Sequence, residues 1–163
     1  MTAVHAPPSV RFPSEGTLAP VLRAAHETWL PEAIEFLLPI IRPEASFWDR
    51  WTTVRYLADQ FSGQYRRECA LVQQLRPFLP PEVGERLIQQ GQRIGQLQEA
   101  IDQLGRKHGT ARSVMVIGRG LLASLGDWCR EIEAAARPIP REVLPEEGRR
   151  LIAELELYTG VHG

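Results

Sequence analysis

The sequence predicts an all-α fold: an antiparallel helical bundle of three long heptad-patterned helices plus shorter flanking helices, with extended N- and C-terminal arms. Two observations carry this expectation. Apolar residues recur in alternating steps of four and three along three separate segments, the spacing that keeps one helix face against its neighbours. Prolines and glycines punctuate the chain between those segments, and short turns make successive helices antiparallel. No run alternates apolar and polar residues for long enough to suggest a strand. The expected organisation is an arm over 1–16, a helical domain over 17–159 and a tail over 160–163.

The arm, MTAVHAPPSVRFPSEG, has three prolines and no periodicity, and it contains Phe12. In TLAPVLRAAHETW, Thr17 is placed to cap a short helix whose inner side is Leu18, Val21, Leu22, Ala25 and Trp29. Pro31 opens a second short helix, and Pro39 kinks or ends it. Ser46 and Asp49 form a capping-box pattern. The first long seam then runs Phe47, Trp51, Val54, Ala58, Phe61 and Tyr65, and it falters at Glu68. Cys69, Val72 and Leu75 continue on a shifted face. Pro81 opens the second long helix, with Val83, Leu87, Gln90, Ile94, Leu97, Ile101 and Leu104 inward. The third seam is Val114, Gly118, Leu121, Leu125, Trp128, Ile132 and Ala135. A last helix, about Pro145 to Thr159, turns Leu151, Ile152, Leu155 and Tyr158 inward.

Composition narrows the function classes. A chain of 163 residues has enough length for one sizeable core, and a net charge of −1 gives no field to gather nucleic acid or acidic substrates. Eighteen arginines stand against one lysine, Lys107. Two cysteines, Cys69 and Cys129, make no disulfide framework. No apolar h-region and no apolar run of membrane-spanning length occurs, so the expected location is cytoplasmic.

One stretch imitates a cofactor signature. In SVMVIGRGLLASLG, Gly118-x-Gly120-x-x-Ala123 outlines a dinucleotide-binding turn. That turn requires a strand before it, a βαβ unit around it and an acidic residue about 20 positions on. Here the periodicity before and through the glycines is helical, and the region 20 residues on is RPIPRE. The stretch therefore reads as the inner face of a helix. Gly91, Gly95 and Gly118 are expected to form one close helix crossing, in a register that puts Gly118 beside Gln96 and Gly95. A ligand slot beside the same three glycines is the alternative.

No other catalytic or metal signature rises above the background. The histidines His5, His26, His108 and His162 include no pair at helical ligand spacing. The sequence therefore predicts no catalytic residue, no metal and no cofactor. Arg106, Lys107, His108 and Arg112 cluster at one turn and form a basic tip suited to an anionic surface. Three of the four tryptophans lie between residues 28 and 51. With the arm, this region supplies the candidate partner-binding residues Phe12, Trp29, Phe36, Trp48 and Trp51. The expected function is a non-enzymatic accessory subunit that binds and stabilises a larger protein assembly, such as a membrane-extrinsic subunit of an integral membrane complex. Its partners would be proteins and an anionic membrane surface. The alternatives are a ligand- or cofactor-binding bundle and a basic-tipped subunit of a nucleic-acid-binding complex, the latter disfavoured by the lack of aromatic residues at the tip.

Overall fold

The computed structural model describes residues 16–42, 44–106 and 111–160, excepting the side chains of 105, 106, 111, 158 and 160. The fold is all-α. The described residues form no strand, only an isolated bridge between Thr17 and Pro140. None of their helices is long and apolar enough to cross a membrane.

Helix α1 spans Ala19–Leu37 and is followed by a 3-10 turn, Leu38–Ile41. This corrects the expectation of two short helices, because Pro31 lies inside α1. Proline removes one backbone bond and costs an isolated helix about 3 kcal/mol or more. Pro31 and Glu27, whose carbonyl loses that bond, both face solvent, where water can replace it. On the other side Ala25, Trp29, Ala33 and Leu37 are buried and hold the helix through the break. Thr17 is not the N-cap either: Leu18 occupies that position without a side-chain cap, and Pro20 supplies the first turn. Pro39 falls just past the end of α1, in the 3-10 turn.

Helix α2 spans Phe47–Tyr56 and opens on the expected capping box. The Asp49 N–H donates to Ser46 Oγ at 3.1 Å, and the Ser46 N–H donates to Asp49 Oδ2 at 2.9 Å. One π-helical turn, Leu57–Phe61, joins α2 to α3, Ser62–Leu75. The inner face of this long unit is Val54, Leu57, Phe61, Gln64, Glu68, Leu71 and Leu75. The predicted seam is thus partly corrected. Phe47, Trp51 and Ala58 are exposed, and Glu68 lies on the seam where the pattern was expected to falter.

Helices α4, Pro81–Arg106, and α5, Ala111–Ala136, keep part of their predicted seams in the core, whereas Val83, Gln90, Leu97, Leu104 and Ala135 are only partly buried. Leu87, Ile94 and Ile101 of α4 are buried, as are Val114, Leu121, Leu125, Trp128 and Ile132 of α5. The two helices meet where Gly91 lies against Trp128, Gly120 against Leu97 and Arg86 against Glu131 at 3.2 Å. Helix α6, Glu146–Gly160, buries Leu151, Ile152 and Leu155 against the same core.

The glycines do not meet one another. A methyl group at Gly118 would sit 3.2 Å from Ile41 Cγ2 and 3.3 Å from Ile40 Cδ1, so the thinned stripe of α5 admits the 3-10 turn after α1. Gly91 makes room for Cys69 and Trp128, and Gly95 for Tyr65. The physical reason is that α5 is covered on several sides. Its Gly118 face meets the 3-10 turn after α1, whereas Gly120 meets α4.

Candidate functional site

The polar centre of the molecule is a carboxylate buried among indoles. Glu68 of α3 is 0% exposed. Its Oε1 accepts from His26 Nε2 at 2.8 Å and from Trp128 Nε1 at 2.9 Å, and its Oε2 accepts from Trp29 Nε1 at 2.6 Å. The second ring nitrogen of His26, Nδ1, lies 2.6 Å from Glu133 Oε2. Arg23 reaches the other Glu133 oxygen at 3.5 Å. The network therefore ties α1, α3 and α5 together. Helical spacing puts each member in place: His26 and Trp29 are three residues apart on the inner face of α1, and Trp128 and Glu133 lie within two turns on α5.

Electrostatics fix the charge state of the centre. Burial alone would depress the His26 imidazole. Hydrogen bonding to the Cys129 thiol and to Glu68, reinforced by the Glu68 charge, outweighs burial and raises its pKa to about 11. Geometry agrees: both ring nitrogens lie within hydrogen-bond distance of carboxylate oxygens, an arrangement that favours a proton on each. The ring is an imidazolium at neutral pH, clamped between Glu68 and Glu133. Burial raises the pKa of the Cys129 thiol, and likewise that of Cys69. Both cysteines therefore stay protonated, Cys129 buried and Cys69 half-buried. No group of three His, Cys, Asp or Glu side chains able to hold a metal occurs among the described residues.

A second cluster surrounds the π turn. Trp29, Glu32, Tyr56, Gln60, Phe61 and Gln64 line a pocket of about 280 Å³. A neighbouring pocket of about 340 Å³ shares Tyr56 and Gln60 and extends to Phe36 and Trp51. Phe36 stacks on Tyr56 with ring centres 4.2 Å apart. The Gln98 amide donates to the Leu57 carbonyl at 3.1 Å, which ties the start of the π turn to α4. Single π turns recur at functional sites because the extra residue redirects the side chains around it.

The sequence-predicted residues divide clearly. Trp29 is 2% exposed and belongs to the Glu68 network rather than to the surface. Phe36 is partly buried. Trp48 is 70% exposed, touches Phe47 edge to face, and stands one turn from Trp51. Phe12, Lys107, His108 and the Arg106 side chain lie outside the described residues, and Arg112 is exposed. Of the three glycines, Gly91 borders an apolar pocket of about 220 Å³ with Cys69, Leu87 and Trp128. Gly95 borders a different pocket, with Tyr65 and Gln98.

Glu68 and Glu133 were not legible as site residues. One signal for Glu68 did exist: it falls three residues after Tyr65, on the extrapolated seam, where a carboxylate demands partners. His26 and Trp29 supply them from the inner face of α1. No protein-family model, curated protein or solved structure matches the chain.

Proposed function

We propose that the chain is a non-enzymatic accessory subunit: an antiparallel helical bundle that docks a protein partner and steadies a larger cytoplasmic assembly. One observation supports this reading most strongly. At the start of α2, Phe47 is 44% exposed, Trp48 70% and Trp51 37%. Aromatic side chains grouped on one rigid turn are typical interface anchors. Leu38, 39% exposed, adds to the apolar surface on the preceding 3-10 turn. The capping box keeps α2 formed up to its first residue, so the rings are presented without an ordering cost. The rest of the exposed α2 face carries Thr52 and Arg55. That narrow aromatic turn suits a protein pocket better than the broad apolar face of a membrane-surface helix.

The test is native copurification followed by sizing. Wild-type protein should elute with its partner, and the double variant Trp48→Ala/Trp51→Ala should elute alone while melting as wild type does. A wild-type protein that behaves as a lone 18.4 kDa species in native extracts would overturn the reading. So would flotation with anionic vesicles lost in the same variant, because the rings would then serve a membrane.

A further inference from the structure

The two pockets beside the π turn adjoin through Tyr56 and Gln60, and the wider one, about 340 Å³, is walled by Phe36, Trp51 and Tyr56. Phe36 and Tyr56 are stacked with 5° between their ring planes. A groove walled by aromatic faces is the kind of surface on which polyproline II segments dock. Charge along this part of α1 is one-sided. Between Ala24 and Ile41 the chain carries three carboxylates, Glu27, Glu32 and Glu35, and no arginine or lysine. None of them pairs with a cation among the described residues. The chain itself contains a segment of matching chemistry. Residues 1–15 lie outside the described residues and precede Gly16, close to the start of α1. They include Pro7, Pro8 and Pro13, with His5 and Arg11 and no carboxylate before Glu15. Proline fixes its own φ and pushes the residue before it towards extended backbone, so this composition favours polyproline II.

We propose that residues 6–13 of this chain occupy the groove as an intramolecular polyproline ligand. Pro7 and Pro8 lie against Phe36 and Tyr56, and Arg11 lies among the carboxylates of α1. The reach agrees with this placement. A polyproline II segment advances about 3.1 Å per residue and an α-helix about 1.5 Å. Counted back from Thr17, Pro8 is about 28 Å away; counted forward along α1, so is Phe36. Arg11 is about 19 Å from Thr17, which sets it between the levels of Glu27 and Glu32. The path is continuous, because Pro20, Ala24, Thr28, Glu32 and Phe36 form one half-buried row, four residues apart, that leads along α1 to the groove. The reversal this course needs falls at Gly16, which is exposed and where an added Cβ would meet nothing within 4 Å. A segment tethered so close acts at a millimolar effective concentration, so weak aromatic and charge contacts are enough to seat it. Trp48 lines neither pocket and stays available to a partner.

Nuclear Overhauser contacts in the full chain test this directly. Contacts between the Pro7 and Pro8 ring protons and the Phe36 and Tyr56 rings are expected, with the Trp51 indole N–H resonance reporting the docked state. Pro7→Gly/Pro8→Gly should abolish the contacts and move that resonance. Arg11→Glu should lower the docked-to-free ratio about two- to fivefold, read from the Trp51 position between the wild-type and double-glycine limits. A wild-type chain without these contacts would overturn the proposal, and so would an Arg11→Glu variant that docks as fully as wild type. A mixture of isotope-labelled and unlabelled chains tests for a second copy. Contacts between chains, in place of contacts within one, would assign the groove to a neighbouring molecule's segment and overturn the intramolecular assignment. All these variants keep Trp48, so partner capture through α2 is tested separately.

Discussion

Trp29 and Trp48 belong to one aromatic stretch, but they sit in opposite environments. Trp29 is sealed in the core, and its indole N–H donates to the Glu68 carboxylate at 2.6 Å. Trp48 stands 70% exposed, with Phe47 edge to face against its ring. The difference shows that aromatic density in a sequence does not by itself mark a surface. A tryptophan is drawn inward when a buried acceptor needs its N–H, and it stays outside when no helix covers it. Substitutions at the two ends should therefore differ sharply in their effect on stability.

The largest effect is expected at the acceptor itself. Glu68→Ala leaves the His26 imidazolium and two indole N–H groups without their shared partner, so chemical denaturation should show a loss of about 3–5 kcal/mol. A loss below about 1 kcal/mol would mean that the network is not a clamp. Trp29→Phe keeps the ring but removes one donor to a charged acceptor. It should cost about 1.5–3 kcal/mol, measured in the same way.

The pH dependence sharpens the comparison further. The folded-state pKa of His26, about 11, lies above its unfolded value of 6.5. Its contribution to stability is complete below pH 6.5 and is lost as the pH rises through about 11. Stability measured from neutral to alkaline pH should fall with a slope of at most about 1.4 kcal/mol per pH unit from this one proton. In His26→Gln that His-linked slope should disappear. If the slope persists unchanged, the imidazolium is not its source.

The smallest stability change is expected at the exposed end. Trp48→Ala should move the unfolding free energy by no more than about 0.5 kcal/mol, and its effect should appear in partner capture instead. A loss as large as that of Trp29→Phe would show that Trp48 is packed after all and would erase the contrast.

Much of the helical content was legible in advance, because burial on a helix has a readable period. The buried residues of α4 and α5, the Ser46–Asp49 capping box and Leu151, Ile152 and Leu155 of α6 follow from local spacing, while the Tyr158 side chain lies outside the described residues. Other features were not legible because they depend on what a residue meets. Pro31 is accommodated within α1 because its outer side meets water and its inner side meets the core. Gly118 packs on Ile40 and Ile41 rather than on another glycine, since a helix covered from several directions shows each neighbour a different stripe. Likewise, the polar break expected at Glu68 is a buried, three-donor acceptor, because its partners lie 42, 39 and 60 residues away in sequence.

The sequence by itself determined the helical class and a share of the inward faces. Each of these depends on residues within a few turns of one another. Only the tertiary structure decided which side of the aromatic stretch is buried, which charge state His26 adopts, and which side chains surround the Glu68 carboxylate. These are properties of groups brought together across distant segments, where desolvation and hydrogen-bond partners depend on the whole fold.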